Sequence, residues 1–505
     1  MSDGDRGDAS LPRRVKRQRG DTLPGSASSV RRVASKQKKQ PPPSESMYLS
    51  SKSHLVSTAF DCDTVIRRCW VAEGDGGPDP ALFSSEHAVA MLLRTYYAYF
   101  KNLENPNDIS FKPTPVLYPF VELEYPNTRS SERFILLAPK NEDHYNPIMD
   151  LLRTLYTIIE CYLTPAQQAL FGPIPQDILF RSDLFPVPPP SSPVLTLFLK
   201  LASVAHAFEQ RDGPSFLTTF KHINALLRRL KYPPLPQNSD PFRNLPPNEL
   251  KEFVHSWTDA RMPKKVLMRI IEETYQRSVG PHVEKLKQYE AFSNAVYGEL
   301  MPSFVYEILT LTGLTEDSLF LDLGSGVGNV VVQASLQTGC RSYGIELKPE
   351  PAGIAQRMVT NFQARCQMWG VKVGEIELEE GDMLQSARVN ELIAVADVVL
   401  VDNKAFEPIL NEQLKPKFLE LKEGAYVVSL LPFVHSLNPR ITERNKCTQV
   451  DDVSAIFDVT KRTYHSGSIS WGNNGGTYYI HRVNRKEYAS FRERFESSPG
   501  RRRRS

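Results

Sequence analysis

The chain has 505 residues, which is more than one ordinary domain and predicts about two to four folding units. Its hydrophobic share of 41% is typical of globular proteins, and a net charge of +3 does not by itself indicate a polyanionic partner. The six cysteines form no C-x-x-C pair and have no histidine at metal-ligand spacing, so we expect no metal site and a reducing compartment. No run of about eighteen apolar residues occurs, so we expect neither secretion nor a membrane span.

Residues 1–46 are predicted to form a disordered basic tail, and residues 491–505 a second one. The first tail is rich in Ser, Pro, Gly, Lys and Arg and nearly lacks large aliphatic side chains, so burial cannot offset the entropy of ordering. Its bases form two clusters, Arg13, Arg14, Lys16, Arg17 and Arg19, and then Arg31, Arg32, Lys36, Lys38 and Lys39. Such clusters favour a nuclear-import signal, an arm that binds a polyanion such as DNA, or both; the alternative is a solvated tail without a partner.

Residues 47–185 are expected to form a structural N-terminal module of mixed α and β structure. Short β-rich stretches occur at 116–118 and 134–137, and apolar residues three and four apart predict a helix over 147–163. A proline-rich segment follows. Amphipathic patterns then predict a second, larger domain over 194–490, which begins with a helical segment over 194–290.

From 291 to 485 short apolar strands alternate with amphipathic helices, which is typical of an α/β fold with a mostly parallel sheet. The predicted strands lie at 319–323, 342–347, 375–378, 397–402, 425–431, near 455–471, and at 477–483. The last two strands have no clear helix between them. We therefore expect a seven-stranded sheet that ends in an antiparallel pair.

A glycine-rich turn follows the first of these strands and precedes a helix. The segment consists of Phe320, Leu321, Asp322, Leu323, Gly324, Ser325, Gly326, Val327, Gly328 and Asn329. Glycines allow the backbone to approach a ligand closely, and the first turn of the helix offers unpaired N–H donors. This is the place where open α/β sheets bind cofactors, so we expect these ten residues to contact one, although glycine spacing alone is a weak signal.

Three acids suggest which cofactor binds there. Asn329 stands where a dinucleotide fingerprint has its third glycine, and Asp322 would repel a pyrophosphate but suits a cationic ligand. Glu346 ends the next strand, where a carboxylate can accept both ribose hydroxyls. Asp382 and Met383 follow the third strand, where they can bind an adenine amino group and pack on the ring. The pattern predicts S-adenosyl-L-methionine; the alternative is a set of solvent-facing loop acids.

The matching stretches read YEAFSNAVYGELMP at 289–302, FLDLGSGVGNVVVQAS at 320–335, GIE at 344–346, GDM at 381–383, VDNKAF at 401–406, SISW at 468–471 and TYY at 477–479. Together they resemble the non-SET histone H3 lysine-79 methyltransferases, the disruptor-of-telomeric-silencing family, over roughly 250–485. The resemblance implies the class I S-adenosylmethionine-dependent methyltransferase fold and methyl transfer to a lysine in the nucleosomal core of histone H3. It further implies a nuclear chromatin regulator of telomeric silencing and the DNA-damage checkpoint, with basic tails on nucleosomal DNA.

The resemblance also implies a role for each matching position. Tyr297, Gly298, Glu299 and Leu300 would close over the methionine end of the cofactor, above a floor formed by Asp322, Gly324, Gly326 and Asn329. Glu346 would hold the ribose, and Asp382 with Met383 the adenine. A narrow channel for the target lysine would be lined by Asn403, Phe406, Trp471, Tyr478 and Tyr479.

One departure from the family concerns Asp402, since the family usually has two consecutive asparagines where this chain has Asp402 and Asn403. We expect an apolar aromatic wall to desolvate the lysine without a dedicated base, and the alternative makes Glu299 or Asp402 the base.

Two other functions also remain open. The same fold could modify RNA, which the basic tails would equally suit, or the chain could be a nucleosome-binding scaffold with a vestigial cofactor site.

Overall fold

A computed structural model describes residues 80–114, 117–174, 200–235, 246–258, 262–283, 286, 298–434, 456–472 and 474–486. These residues all belong to one compact unit. The predicted basic tails lie outside the described residues. Within the described part of the chain, no helix is both long and apolar enough to cross a membrane.

The C-terminal half is built on the predicted seven-stranded sheet. Its strands are β5 (Leu319–Leu323), β6 (Arg341–Glu346), β7 (Ile376–Glu380), β8 (Val398–Val401), β9 (Tyr426–Ser429), β10 (Phe457–Tyr464) and β11 (Gly476–Val483). Their order across the sheet is β10-β11-β9-β8-β5-β6-β7, with β5 to β9 parallel and β11 antiparallel to both neighbours. The predicted fold class, a class I methyltransferase sheet with a terminal antiparallel pair, is confirmed.

The central strands β5 and β8 are apolar except for Asp322, because both faces of the sheet are covered. In β5, Leu321 and Leu323 pack on one face with Val399 of β8, while Phe320 packs on the other face with Phe304. The covering helices are α8 (Pro302–Thr312), α9 (Asn329–Thr338), α10 (Pro349–Met368), α11 (Ala387–Ile393) and α12 (Pro408–Leu414).

The N-terminal half contains the predicted helix over 147–163 and further short elements. Its strands are β1 (Tyr96–Ala98), β2 (Phe120–Glu124), β3 (Ser131–Ile135) and β4 (Leu137–Pro139), paired as β1 with β4 and β2 with β3. Its helices are α1 (Ser85–Ala90), α2 (Pro147–Tyr162), α3 (Pro165–Gln168), α4 (Lys200–Gln210), α5 (Gly213–Lys231), α6 (Glu249–His255) and α7 (Lys264–Ser278). Asn146 caps α2 by accepting the N–H groups of Ile148 and Met149, and Pro147 starts the helix. The β-rich stretch at 116–118 is not a strand where it is described.

One hydrophobic core joins the two halves. It contains Phe134 of β3, Leu155 of α2, Ile270 of α7 and Trp369, which follows α10. Hydrogen bonds accompany the packing, since the Tyr162 hydroxyl donates to the carbonyl oxygen of Trp369 over 2.9 Å. The N-terminal module therefore shares a hydrophobic core with the helices that cover the seven-stranded sheet.

A buried ion network lies at the centre of this joint core. It consists of three acids and three arginines, Glu132, Asp150, Glu273, Arg269, Arg277 and Arg365, each at most 7% exposed. Arg277 bridges Glu132 and Asp150, both at 2.6 Å, and Arg365 of α10 reaches Glu132 at 2.7 Å. Since the acids lie on β3, α2 and α7, the network connects the N-terminal module, the helical segment and the methyltransferase helix α10.

The charges of the network balance, so each buried acid has a cation beside it. Burial alone would raise the pKa of the Glu132 carboxyl, but Arg277 and Arg365 hold that pKa below its ordinary value. The pKa of Asp150 is likewise lowered, because Arg277 and Arg269 outweigh its burial. Both carboxylates therefore stabilise the folded chain at neutral pH and lose this contribution as the pH falls through their folded pKa values.

Glu132→Gln is expected to lower the free energy of unfolding by about 3–5 kcal/mol at pH 7, because Arg277 and Arg365 then remain buried without their shared partner. Urea unfolding of the full chain measures this change. Glu160→Gln is the matched control, because Glu160 pairs with Lys265 at the surface and its loss should cost less than about 1 kcal/mol. Equal effects of the two substitutions would contradict a stabilising role for the network.

Candidate cofactor and substrate site

The glycine-rich turn after β5 has the backbone conformation that its sequence predicts. Gly324, Gly326 and Gly328 have φ angles of 96°, 55° and 80°, a region that side chains with a Cβ rarely adopt. The N–H groups of Gly324 and Ser325 donate to the carbonyl oxygen of Ile345 on β6, at 3.0 and 2.9 Å. The turn is thereby fixed over the carboxyl ends of β5 and β6, where α9 begins.

The three predicted acids lie at the carboxyl ends of three adjacent strands. Asp322 is on β5, Glu346 ends β6 and Asp382 follows β7. The carboxylate of Glu346 accepts the N–H groups of Gly326 and Lys348, both at 2.9 Å, which ties it to the glycine turn. The Leu384 N–H donates to Asp382 over 2.8 Å. Each of these two acids keeps further lone pairs for a ligand.

Asp322 and Asp402 form an acidic pair at the floor of the site. Asp322 is 3% exposed, and Asp402 directly follows the adjacent strand β8. Part of Asp402 is accessible, yet its Oδ1 is buried and has no hydrogen-bond partner among the described residues. Burial, and then Asp402 and Glu346, raise the pKa of Asp322 well above its usual range, and burial raises the pKa of Asp402 to about 7. Neither acid has a salt-bridge partner among the described residues, and such acids fit a positively charged ligand, as the sulfonium and ammonium of S-adenosylmethionine would be.

The loop at 298–300 lies against the segment 468–471. The Glu299 N–H donates to the Ser470 hydroxyl over 2.9 Å, and the Ser470 N–H donates to the Glu299 carbonyl oxygen over 2.9 Å. A Cβ on Gly298 would stand 2.1 Å from the Trp471 ring, so only glycine permits this contact. The Glu299 carboxylate accepts the Tyr275 hydroxyl over 3.1 Å. The two segments thus form one wall of the site.

A cavity brings many of the predicted residues together. It is lined by Gly298, Glu299, Leu300, Asp322, Gly324, Ser325, Gly326, Asn329, Val330, Leu400 and Asp402. Tyr297 lies outside the described residues. The side chains of Phe320, Leu321, Leu323 and Val327 are buried in the hydrophobic cores, so they support the turn and do not line the cavity, which corrects their assignment as cofactor contacts.

Asn403 does not line a lysine channel, which corrects the prediction for this residue. It is fully buried, and its Oδ1 accepts the N–H groups of Leu430 and Leu431 at 3.1 and 2.7 Å. Its Nδ2 donates to Asn411 and to the Leu431 carbonyl oxygen. Because these bonds occupy both ends of the amide, Asn403 fixes the chain after β9, and the neighbouring Asp402 is the residue that faces the cavity.

Tyr478 is a second correction, because its side chain is fully buried under α8. Its hydroxyl donates to Glu307 over 2.8 Å, and its ring packs edge-on against Phe304. Tyr479 points to the opposite face, with its ring 6.4 Å from that of His481. Tyr478 therefore does not form the channel wall predicted from the sequence, whereas the place of Tyr479 in that wall stays a prediction.

Phe406 and Trp471 are the aromatic side chains that do lie at the site. Phe406 is close enough to Gly324 that a Cβ there would stand 3.3 Å from its ring, and the Met383 side chain lies beside the same position. Both aromatic residues are partly exposed. Phe406 lies next to the glycine turn and Trp471 next to the 298–300 loop, beside the residues that line the cavity.

Comparisons with known proteins agree with this geometry. Residues 275–483 match the family described as Histone methylation protein DOT1. A Mycosarcoma maydis protein is 30% identical over 81% of this chain and 63% of its own length. A Cryptococcus neoformans var. neoformans serotype D protein is 31% identical over 88% of this chain and 72% of its own length, and a Gibberella zeae protein is 42% identical over 43% of each. All three bear the name "Histone-lysine N-methyltransferase, H3 lysine-79 specific".

Asp402→Asn is expected to stabilise the free protein above pH 7. Ionising a carboxyl whose pKa rises from 3.8 to about 7 on folding opposes folding, and this opposition disappears as the pH falls toward 4. The gain should be about 2–4 kcal/mol at pH 8 and close to zero at pH 4, measured by urea unfolding.

Asp397→Asn is the matched control at the other end of β8, where the carboxylate accepts the Leu319 N–H and pairs with Lys422. This substitution removes stabilising contacts and should give no gain at either pH. The burial argument is wrong if Asp402→Asn leaves the stability at pH 8 unchanged.

Proposed function

The chain belongs to the family of H3 lysine-79-specific histone-lysine N-methyltransferases, and we propose that it methylates a lysine in the nucleosomal core of histone H3. Its cofactor is S-adenosyl-L-methionine. The observation that carries the proposal is the pair of buried acids, Asp322 and Asp402, at the floor of a glycine-lined cavity closed by the 298–300 loop. The chain spans 63% of the length of the Mycosarcoma maydis relative and 72% of the Cryptococcus relative, so activity and substrate are proposed from the site together with this similarity.

The residues of the sheet edge would hold the cofactor in the order in which the strands lie. Asp382 and Met383 at β7 suit the adenine, Glu346 at β6 the ribose hydroxyls, and Asp322 at β5 the ammonium of the methionine end. The cofactor supplies a methyl group activated by a positively charged sulfur. The protein has little covalent chemistry to perform, so orientation of the two reactants supplies most of the rate.

The main obstacle is the charge of the target lysine. With an ordinary pKa of about 10.4, only about 0.1% of lysine is neutral at pH 7.4, which costs about 4 kcal/mol. Phe406 and Trp471 are apolar surfaces at the site, and contact with them would lower the lysine pKa by desolvation. The carboxylate of Glu299 accepts the Tyr275 hydroxyl and suits a role in fixing the loop.

The proposed substrate also gives the basic tails a role. Lys and Arg side chains that neutralise DNA phosphates supply salt-sensitive affinity without sequence preference, which would hold the enzyme on the nucleosome. The basic clusters at residues 13–19 and 31–39 suit this function and nuclear import. We propose a nuclear protein whose effects on silencing and the DNA-damage checkpoint follow from histone methylation.

The proposal is tested with radiolabelled S-adenosylmethionine and three acceptors, namely nucleosomes, free histone H3 and total RNA. Label should enter H3 in nucleosomes only, because the family's target lies within the folded histone particle. Gly326→Arg should abolish both the labelling and the binding of S-adenosylhomocysteine, since its φ of 55° and its place in the cavity allow no side chain. Gly313→Arg, at a φ of 66° at the end of α8 and away from the cavity, should retain both.

The alternatives have distinct outcomes in the same experiment. Label in RNA and not in nucleosomes would make the chain an RNA methyltransferase. No label together with no binding of the cofactor would leave a nucleosome-binding scaffold. Either result would overturn the proposed function.

Deletion of residues 1–46 is expected to weaken nucleosome binding and to reduce its dependence on salt, because fewer counterions are released. The measurement is the slope of log Kd against log salt concentration. The matched control keeps the full length and changes the ten bases at positions 13–39 named above to Gln, which should reduce the slope equally. An unchanged slope in both variants would contradict a DNA-binding role for this tail.

A further inference from the structure

The position of Asp402 in the sheet defines its relation to the proposed cofactor. Residues for the adenine, the ribose and the ammonium lie at β7, β6 and β5 in turn, and β8 is the next strand on the far side of β5. The carboxyl end of β8 therefore lies beyond the methionine end of the cofactor, where a methyl group would leave. This argument rests on the proposed function, because it takes the cofactor's order along the sheet from it.

Asp402 is prepared to receive a hydrogen-bond donor. Its Oδ1 is buried and has no partner among the described residues, while the Lys404 N–H donates to the same carboxylate. A polar oxygen left in this state costs free energy, and a ligand that donates a hydrogen bond to it would remove that cost. Asp402 also lines the cavity, together with the 298–300 loop.

Among the charged and titratable groups at the site, Asp402 is the one that can accept a proton from a substrate. Asp322 lies on the cofactor side and would be neutralised by the cofactor's ammonium, and Glu299 already accepts the Tyr275 hydroxyl. The Lys404 ammonium favours the ionised form of Asp402. Burial, and then the charge of Asp402, raise the pKa of Tyr464 on β10, so this hydroxyl stays protonated. Asn403 cannot substitute, because its amide is fully hydrogen-bonded within the protein.

We propose that Asp402 is a catalytic residue that accepts a proton from the ammonium group of the target lysine. An N–H bond of the ammonium breaks, and the proton forms an O–H bond with the Asp402 carboxylate. The freed lone pair forms the new N–C bond with the methyl group, while the C–S bond breaks and its electron pair stays on sulfur. The product keeps one positive charge as a methylammonium, and Asp402 returns its proton to solvent through the accessible part of the residue.

A carboxyl at position 402 can do chemistry that the amide of an asparagine could not do there. An amide can orient a lysine by hydrogen bonding, but it cannot take up a proton near neutral pH. A carboxyl with a pKa of about 7 is well matched to that task, since a general base works best when its pKa lies near the working pH. In this chain, therefore, proton transfer to Asp402 helps to form the neutral lysine, in addition to the effect of desolvation.

The test compares wild type, Asp402→Asn and Asp397→Asn in single-turnover methylation of nucleosomes between pH 6 and 9. The wild-type rate should increase with pH and level off at or below about pH 7, because the cationic cofactor and lysine favour the ionised form of Asp402. The Asp402→Asn rate should be at least about tenfold lower at pH 7 and should continue to increase with pH. Asp397→Asn should follow the wild-type profile, because Asp397 lies at the opposite end of β8.

Binding of S-adenosylmethionine and S-adenosylhomocysteine by the same variants, measured by calorimetry, separates proton transfer from a cofactor contact. Proton transfer predicts that the loss of rate in Asp402→Asn at pH 7 exceeds any loss of affinity for the charged cofactor. A selective loss of affinity for the charged cofactor that equals the loss of rate would mean that Asp402 only holds the sulfonium, and equal pH profiles for wild type and Asp402→Asn would mean that it takes no proton. Either result overturns the inference. Failure of the proposed function is different, since wild type would then label no nucleosomes at any pH.

Discussion

The buried network of three acids and three arginines is the constraint on which the arrangement of this chain depends. Charges in a protein interior are costly unless each has a partner, so Glu132, Asp150 and the arginines must come together when the chain folds. Their elements are far apart in sequence, from β3 to α10. Satisfying the network therefore fixes the N-terminal module and α7 against the methyltransferase layer, and α7 in turn carries Tyr275, which holds Glu299 in the wall of the site.

At the cofactor site, in contrast to the ion network, the buried acids are not paired with cations of the described chain. At the carboxyl edge of the sheet Asp322 and Asp402 are adjacent and buried, yet no arginine or lysine side chain in the described part of the chain makes an ion pair with either. This imbalance raises the pKa of both carboxyls and favours binding of the cationic cofactor. The charges of the ion network are therefore neutralised by other residues of the chain, whereas those of Asp322 and Asp402 would be neutralised by a bound ligand.

The sequence predicts the sheet and the cofactor turn well because both depend on local pattern. Apolar runs such as Val398–Val401 and the glycines after β5 require nothing from the rest of the chain to be recognised. The sequence wrongly predicts Asn403 and Tyr478 in the lysine channel, because their hydrogen-bond partners, Leu431 and Glu307, come from distant parts of the chain and cannot be inferred from residue spacing. Asp402 had a usable signal as the first polar residue after a buried strand. The ion network had none, since charged residues in a helix such as α7 ordinarily face solvent.

A structure of the chain bound to S-adenosylhomocysteine and a nucleosome tests the central claim most directly. The account predicts adenine at Asp382 and Met383, the sulfur between Asp322 and Asp402, and the ε-nitrogen of a lysine from the H3 core within hydrogen-bonding distance of Asp402. The account would be contradicted by an adenine on the β8 side of the glycine turn, or by a lysine ε-nitrogen that lies next to the sulfur but beyond hydrogen-bonding distance of Asp402.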